Sequence, residues 1–295
     1  MATQLSTVSL VLGSGGARGF AHIGVIRWLE EKGFRIASIS GSSMGALVGG
    51  VYAAGRLEEF EAWSRAIDRM DMLTLMDLSW EKSGLLKGDK VINALIKLVG
   101  DQRIEDLPIP FTAVASNIQN EKEVWLQSGS LFDAIRASVS LPFVLTPVRL
   151  NGDDLIDGGV LNPVPIAPTF GDDTDLTIAV NLGGPVKEPC QRHAPRHPKE
   201  KISPFRRKIL KFIDQLQQKI TDDEERDLGA YDIGNQAFDA MQSTIARLKL
   251  AAYPPDHLVT LSRNACGTFE FFRAAELIEM GYQKAQESLS CLLDS

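Results

Sequence analysis

Residues 8–12 form a short apolar run that ends abruptly in Gly13-Ser14-Gly15-Gly16-Ala17-Arg18-Gly19. Past the glycines the period changes. Ile23, Ile26, Trp28 and Leu29 fall near one face of a helix, and Gly33 stops it. A second apolar run, residues 34–39, leads straight into Gly41-Ser42-Ser43-Met44-Gly45, and a helix of small and apolar residues, 46–54, leads out. Strand, helix, strand, helix in this order predicts a parallel sheet with helices on both faces. Reactive side chains then belong at the carboxyl ends of the strands.

Residues 57–96 read as mainly helical. Within them Met70, Met72, Leu73, Leu75, Met76, Leu78 and Trp80 make an apolar section. Core packing is the first reading of that section, and the wall or lid of an acyl-chain groove is the second, since pliable methionines suit variable chains. Residues 111–117 read as a buried strand after the Pro108-Ile109-Pro110 connector, with 124–126 placed to pair beside it. A helix over 132–138 ends at Ser140-Leu141-Pro142. Residues 148–156 form a hairpin turning at Asn151-Gly152, the favoured two-residue turn, and run into Asp157-Gly158-Gly159. The continuous apolar run 176–182 is a central-strand pattern. A helix over 237–250, a strand over 258–261 and a terminal helix over 269–289 follow. No linker, internal repeat or low-complexity segment divides the chain, so one domain spanning 1–295 is expected.

Composition changes the picture at one place. Residues 187–211 hold nine lysines and arginines against two glutamates, a net of +7, together with His193, His197 and four prolines. The first half reads as a mobile loop. In the second half Phe205, Ile209, Phe212, Ile213 and Leu216 sit at helical spacing. A basic amphipathic helix of this kind docks on its own domain, makes peripheral contact with an anionic membrane face, or binds a protein partner through 187–227. Asp222-Asp223-Glu224-Glu225 follows at once and offsets the positive run locally.

The totals bound the rest. With 295 residues, 44% hydrophobic and 23% charged, the chain can bury the core of a soluble enzyme. A net charge of −7 argues against a nucleic-acid partner, because phosphate contacts need a basic surface. Cys190, Cys266 and Cys291 are odd in number and lack C-x-x-C spacing, which suits reduced thiols in the cytoplasm rather than a zinc site. Residues 1–7 lack the basic start and cleavage pattern of a signal peptide, and no apolar run reaches about 18 residues.

The candidate chemistry lies at the two glycine-rich turns. Gly41-Ser42-Ser43-Met44-Gly45 has the G-x-S-x-G form of a nucleophile elbow, in which flanking glycines let the backbone turn sharply and Ser43 project from the strand tip. The helix that starts there favours negative charge at its N-terminus. A serine hydroxyl also needs a base and donors for the oxyanion it creates. The 13–19 loop supplies donors: main-chain N–H groups of Gly15, Gly16 and Ala17, with Arg18 adding charge or bracing the loop. A dinucleotide fingerprint is the rival reading, but it would need glycine where Arg18 stands, and the second strand ends in Ser40-Gly41 rather than an acidic residue.

The base is a histidine or a carboxylate. Ser43, Asp157 and His257 follow the chain order of an α/β-hydrolase triad. Yet His257 comes after Pro254-Pro255-Asp256, just ahead of a strand, which puts it at the strand's amino end. His22 lies one helical turn past the glycine loop, as a helix residue near the site. Asp157 fits better: it ends a strand-like run, and burial beside the serine would lift its pKa toward working pH.

Taken together, the glycine loop, the G-S-S-M-G elbow, Ala137-Ser138 with Leu141-Pro142 and Pro147-Val148, and Asp157-Gly158-Gly159 occur in an order that resembles the patatin-like phospholipase family. The resemblance covers roughly residues 8–182, and the 229–281 tail is similar to the short bacterial single-domain members. It implies a three-layer α/β/α sandwich with a mostly parallel central sheet, and a Ser43–Asp157 dyad. It also implies an oxyanion loop at Gly15, Gly16, Ala17 and Arg18, supported by Gly13, Gly19, Gly41, Gly45, Gly158 and Gly159. Hydrolysis of lipid acyl esters through an acyl-serine intermediate follows, with no metal or cofactor required. The 187–211 stretch matches no motif of the family, and the competing function is a regulatory or scaffold protein that binds its partner there.

Overall fold

The computed structural model describes residues 6–67, 86–186 and 230–293, with 230–236 given by backbone alone. The Met70–Trp80 section, Cys190, His193, His197 and the whole 187–227 segment lie outside the described residues. The chain divides into two compact units, residues 1–186 with 241–295, and residues 187–240. In the smaller unit the described residues are helical.

Among the described residues eight strands form one sheet in the larger unit. They are β1 (Thr7–Leu12), β2 (Arg35–Ser42), β3 (Phe111–Asn117), β4 (Lys122–Leu126), β5 (Val148–Leu150), β6 (Asp153–Asp157), β7 (Leu176–Gly184) and β8 (His257–Ser262). The order is β5-β6-β3-β2-β1-β7-β8, with β4 also paired to β3. Strands β3, β2, β1, β7 and β8 run parallel, while β4, β6 and β5 join as antiparallel neighbours at one end. The expected mostly parallel sheet between helices is the observed architecture. Val8, Leu10, Val11 and Leu12 of β1 and Ile178, Ala179 and Val180 of β7 are wholly buried, which is why these strands read as apolar runs rather than as alternating ones.

The helices are α1 (Ala21–Glu31), α2 (Met44–Ala53), α3 (Leu57–Ala66), α4 (Asp89–Val99), α5 (Leu131–Ser138), α6 (Ala230–Ala252) and α7 (Ala274–Leu289). Nearly every residue of α2 is buried, in keeping with its small apolar sequence. α1 is buried over most of its surface, with Ile23, Ile26, Trp28 and Leu29 in the core and only Arg27, Glu30 and Glu31 exposed. α7 packs along it, and Tyr282 Oη donates to Glu31 Oε2 at 2.6 Å. The hairpin turn is as expected, with Asn151 at φ 53° and Gly152 at φ 94°, the pair of left-handed residues its turn type requires. The terminal helix begins at Ala274 rather than 269, because the Glu270 carboxylate accepts from Gly267 N–H and Arg273 and folds the intervening residues into a turn. No helix among the described residues is long and apolar enough to cross a membrane.

Candidate active site

β2 ends at Ser42 and α2 begins at Met44, leaving Ser43 alone at the corner. Its backbone sits at φ 56°, ψ −125°, a conformation that residues with side chains avoid. The neighbours enforce it. A Cβ on Gly45 would meet the Leu12 carbonyl, so only glycine lets α2 pass this close to the end of β1. Ser43 N–H donates to Ser138 Oγ at 2.9 Å, and Ser138 Oγ donates in turn to the Val114 carbonyl at 2.6 Å. The Ser43 carbonyl accepts from Ala46 and Leu47 as the first turn of α2.

Strand register explains how Asp157 reaches the serine across 114 positions of sequence. On β3, Val114 pairs with Ser42 and the next residue, Ala115, pairs with Asp157. β4 occupies the other edge of β3 from Ala113 to Asn117, so β6 must take up the edge that β2 leaves. β2 runs parallel to β3 and β6 antiparallel, and their carboxyl ends therefore meet head to head. Across that junction Ser43 Oγ donates to Asp157 Oδ2 at 2.5 Å. Asp157 Oδ1 accepts from Gly159 N–H at 2.7 Å, and Asp157 N–H donates to the Ser140 carbonyl at 2.9 Å. Asp157 is 1% exposed and Ser43 7%. Burial raises the Asp157 carboxyl to about 6, against the opposing pull of the bonds from Ser43 and Gly159.

Gly13 N–H donates to Val180 O at 3.0 Å and Ser14 N–H to Pro163 O at 2.8 Å. The expected donor set narrows at Ala17, whose N–H donates to Thr268 O at 2.9 Å. Among the described residues, the loop N–H groups without a partner are those of Gly15 and Gly16. Arg18 braces the loop: Nε donates to Gly15 O at 3.0 Å, and another guanidinium N–H donates to Arg263 O at 2.6 Å. In a trans peptide the C=O and N–H point opposite ways, so holding the Gly15 carbonyl turns Gly16 N–H away from Arg18. Gly16 stands at φ 55°, open to glycine, and a Cβ there would strike Thr268. Gly19 lies against Met44, Gly41 against Gly45, Gly158 against the Val114 carbonyl and Gly159 against Ser14, so each of these motif glycines stands where a side chain would collide with its neighbour.

Neither described histidine hydrogen-bonds to Ser43, whose hydroxyl is given to Asp157. His257 is the first residue of β8 and pairs with Ile178, at the amino end of the parallel strands as its prolines suggested. His22 gives its Nε2 to the Gly13 carbonyl at 2.8 Å. Among the described residues no group of three or more His, Cys, Asp and Glu side chains gathers as a metal site would.

Ser138 and Ser140 lie inside the Ala137-Ser138 and Ser140-Leu141-Pro142 motifs, where nothing in the sequence distinguishes them from ordinary turn serines. The structure makes them the frame: the Ser138 hydroxyl holds the amide of Ser43 and the Ser140 carbonyl holds the amide of Asp157. Arg136 secures this turn from within the fold, donating to Ser140 Oγ at 2.6 Å, to Thr146 O at 3.2 Å and to the Lys87 carbonyl. Ser138→Ala leaves the Ser43 N–H buried without an acceptor. The expected result is a kcat lowered about 10- to 100-fold with circular dichroism unchanged, since small displacements of a reacting group are costly. A wild-type kcat in that variant would show that the elbow holds itself.

The model of the patatin-like phospholipase family matches residues 10–170. An uncharacterized NTE family protein of Mycobacterium tuberculosis is 38% identical over 327 residues, covering 96% of this chain and 91% of that one. Lysophospholipase NTE1 of Saccharomyces cerevisiae is 35% identical over 184 residues, which cover 60% of this chain and 11% of the yeast protein. Among solved structures, VipD from Legionella pneumophila aligns with 99% of this chain and 67% of its own at a TM-score of 0.47 and 15% identity. The head-to-head junction, the elbow and the glycine loop thus lie in the matched stretch, and the chain belongs to the patatin-like phospholipase family.

Proposed function

We propose that the larger unit is a serine acyl hydrolase that cleaves carboxylic esters of lipids through a Ser43–Asp157 dyad. The observation that carries this reading is the 2.5 Å bond from Ser43 Oγ to the buried Asp157 carboxylate. As Ser43 Oγ attacks the acyl carbonyl carbon, its proton passes to Asp157 Oδ2. The carbonyl oxygen becomes an oxyanion, and Gly15 and Gly16 N–H are the donors held out to receive it. The N-terminus of α2 adds its dipole beside the new charge. The C–O bond to the leaving alcohol then breaks, and the alcohol takes the proton from Asp157. Water attacks the acyl-serine with Asp157 again as base, releasing the fatty acid and restoring Ser43 O–H. No step in this cycle asks for a cofactor. The family's name and that of the yeast lysophospholipase support a lipid substrate, with phospholipids and lysophospholipids the first classes to try.

The test is fatty-acid release from lysophosphatidylcholine, diacylphosphatidylcholine and p-nitrophenyl esters of rising chain length, beside intact-mass labelling with a fluorophosphonate. One adduct per chain and release from at least one lipid ester is the expected result. A folded protein that takes no adduct and frees no acid from any of them would overturn the reading, and the scaffold function would take its place.

A further inference from the structure

We propose that His22 is the positioning residue of the oxyanion loop, gripping the Gly13 carbonyl so that the next two peptides present their N–H groups to the substrate. The inference rests on the hydrolase reading and extends it to a residue outside the dyad. His22 is the second residue of α1 and is wholly buried. A carbonyl oxygen only accepts, so the 2.8 Å contact from Nε2 to Gly13 O fixes the proton on Nε2. The ring is neutral, because burial drives the imidazole pKa down to about 4 against the raising effect of the Gly13 bond. Nδ1 is then a bare acceptor, and it is buried with no partner among the described residues. An orphaned buried acceptor destabilises a fold, so an apolar side chain would serve packing better than this imidazole does. What the imidazole supplies is the Nε2 donor.

That donor acts where the loop needs it. The Gly13–Ser14 peptide is clamped on both sides, its carbonyl by His22 and its N–H by Pro163 O at 2.8 Å. The following N–H groups are those of Gly15 and Gly16, and the second clamp is Arg18 on the Gly15 carbonyl at 3.0 Å. The two donors lie between an upstream brace and a downstream one. Glycine-rich backbone has little torsional preference of its own, so external braces set the planes of these peptides.

The experiment compares the full-length wild type with His22→Leu, His22→Gln and His22→Asn. A glutamine amide reaches the Nε2 position, whereas asparagine has the same chemistry and stops short. kcat and KM on a p-nitrophenyl ester, the fluorophosphonate labelling rate of Ser43 and Tm are read for each. Leu and Asn should lose kcat and labelling rate on the order of 30-fold with KM nearly unchanged, while Gln keeps both within a few-fold of wild type. Should Leu fail to fold, the Gln and Asn pair alone decides. Changes confined to Tm, or Gln as impaired as Asn, would overturn the positioning role while leaving the dyad intact. A wild type that neither labels nor turns over would remove the hydrolase reading itself, and this inference with it.

Discussion

Ser43→Ala should bring ester turnover down to the uncatalysed background, a loss of about 10⁵-fold or more, and remove the fluorophosphonate adduct altogether. On the proposed mechanism the size follows from the division of roles: the loop N–H groups would stabilise charge but cannot make the acyl bond. Ser43→Gly should be equally inactive and, against the usual order, more stable than the alanine variant. Glycine in place of alanine ordinarily costs about 0.5–1 kcal/mol. At φ 56°, ψ −125° the Cβ itself is the source of strain, of order 1–3 kcal/mol, and glycine releases it. Urea denaturation of the two variants, which both lack the hydroxyl, isolates that term. Turnover surviving in Ser43→Ala would place the nucleophile elsewhere, and a glycine variant less stable than alanine would mean that the elbow carries no strain.

The elbow and the glycine loop were legible because their chemistry is local. A serine between glycines at the end of an apolar run specifies its own turn, and so does Asn151-Gly152 in the hairpin. His257 was legible for the same reason, since the prolines ahead of it mark the entrance of a strand rather than its exit. What was hidden is non-local. That β6 inherits the edge of β3 vacated by β2 depends on the pairing of Val114 with Ser42 and Ala115 with Asp157, and no spacing in the chain expresses it. Ser138 and Ser140 gain their roles only once that junction exists. Ala17 belongs to the donor set expected of a glycine-rich loop at a helix start, but its N–H is taken by the carbonyl of Thr268, a residue 251 positions away and beyond the 10–170 stretch that the family model matches. The loop between β8 and α7 therefore braces the glycine loop through the carbonyls of Arg263 and Thr268, and on the proposed function this ties the C-terminal part of the chain to the oxyanion donors.

Asp157→Asn should separate activity from stability in opposite directions. The amide keeps the shape of the carboxylate and an oxygen for the Gly159 N–H, but it cannot take the Ser43 proton, so kcat should fall by about 10³- to 10⁴-fold. At pH 7 the same variant should be the more stable one. Burial lifts the Asp157 pKa from 3.8 to about 6, so the folded protein holds this proton more tightly than the unfolded chain. Stability from this group is then greatest below pH 4 and falls as pH rises from about 4 to about 6. Above that window the wild type carries a buried charge worth on the order of 3 kcal/mol of lost stability, which asparagine does not have. The stability difference between the two proteins should shrink toward zero as pH drops through the same interval. Wild-type kcat/KM should follow the opposite course, with an acid limb near pH 6 as the base becomes protonated. On the proposed mechanism protonating Asp157 would make the fold firmer while removing the base, so unfolding at this group cannot produce that limb. Denaturation curves and pH–rate profiles of the two proteins between pH 4 and 8 decide the matter. A limb well below pH 5, or an asparagine variant no more stable than wild type at pH 7, would mean that the carboxylate is better solvated than its burial implies.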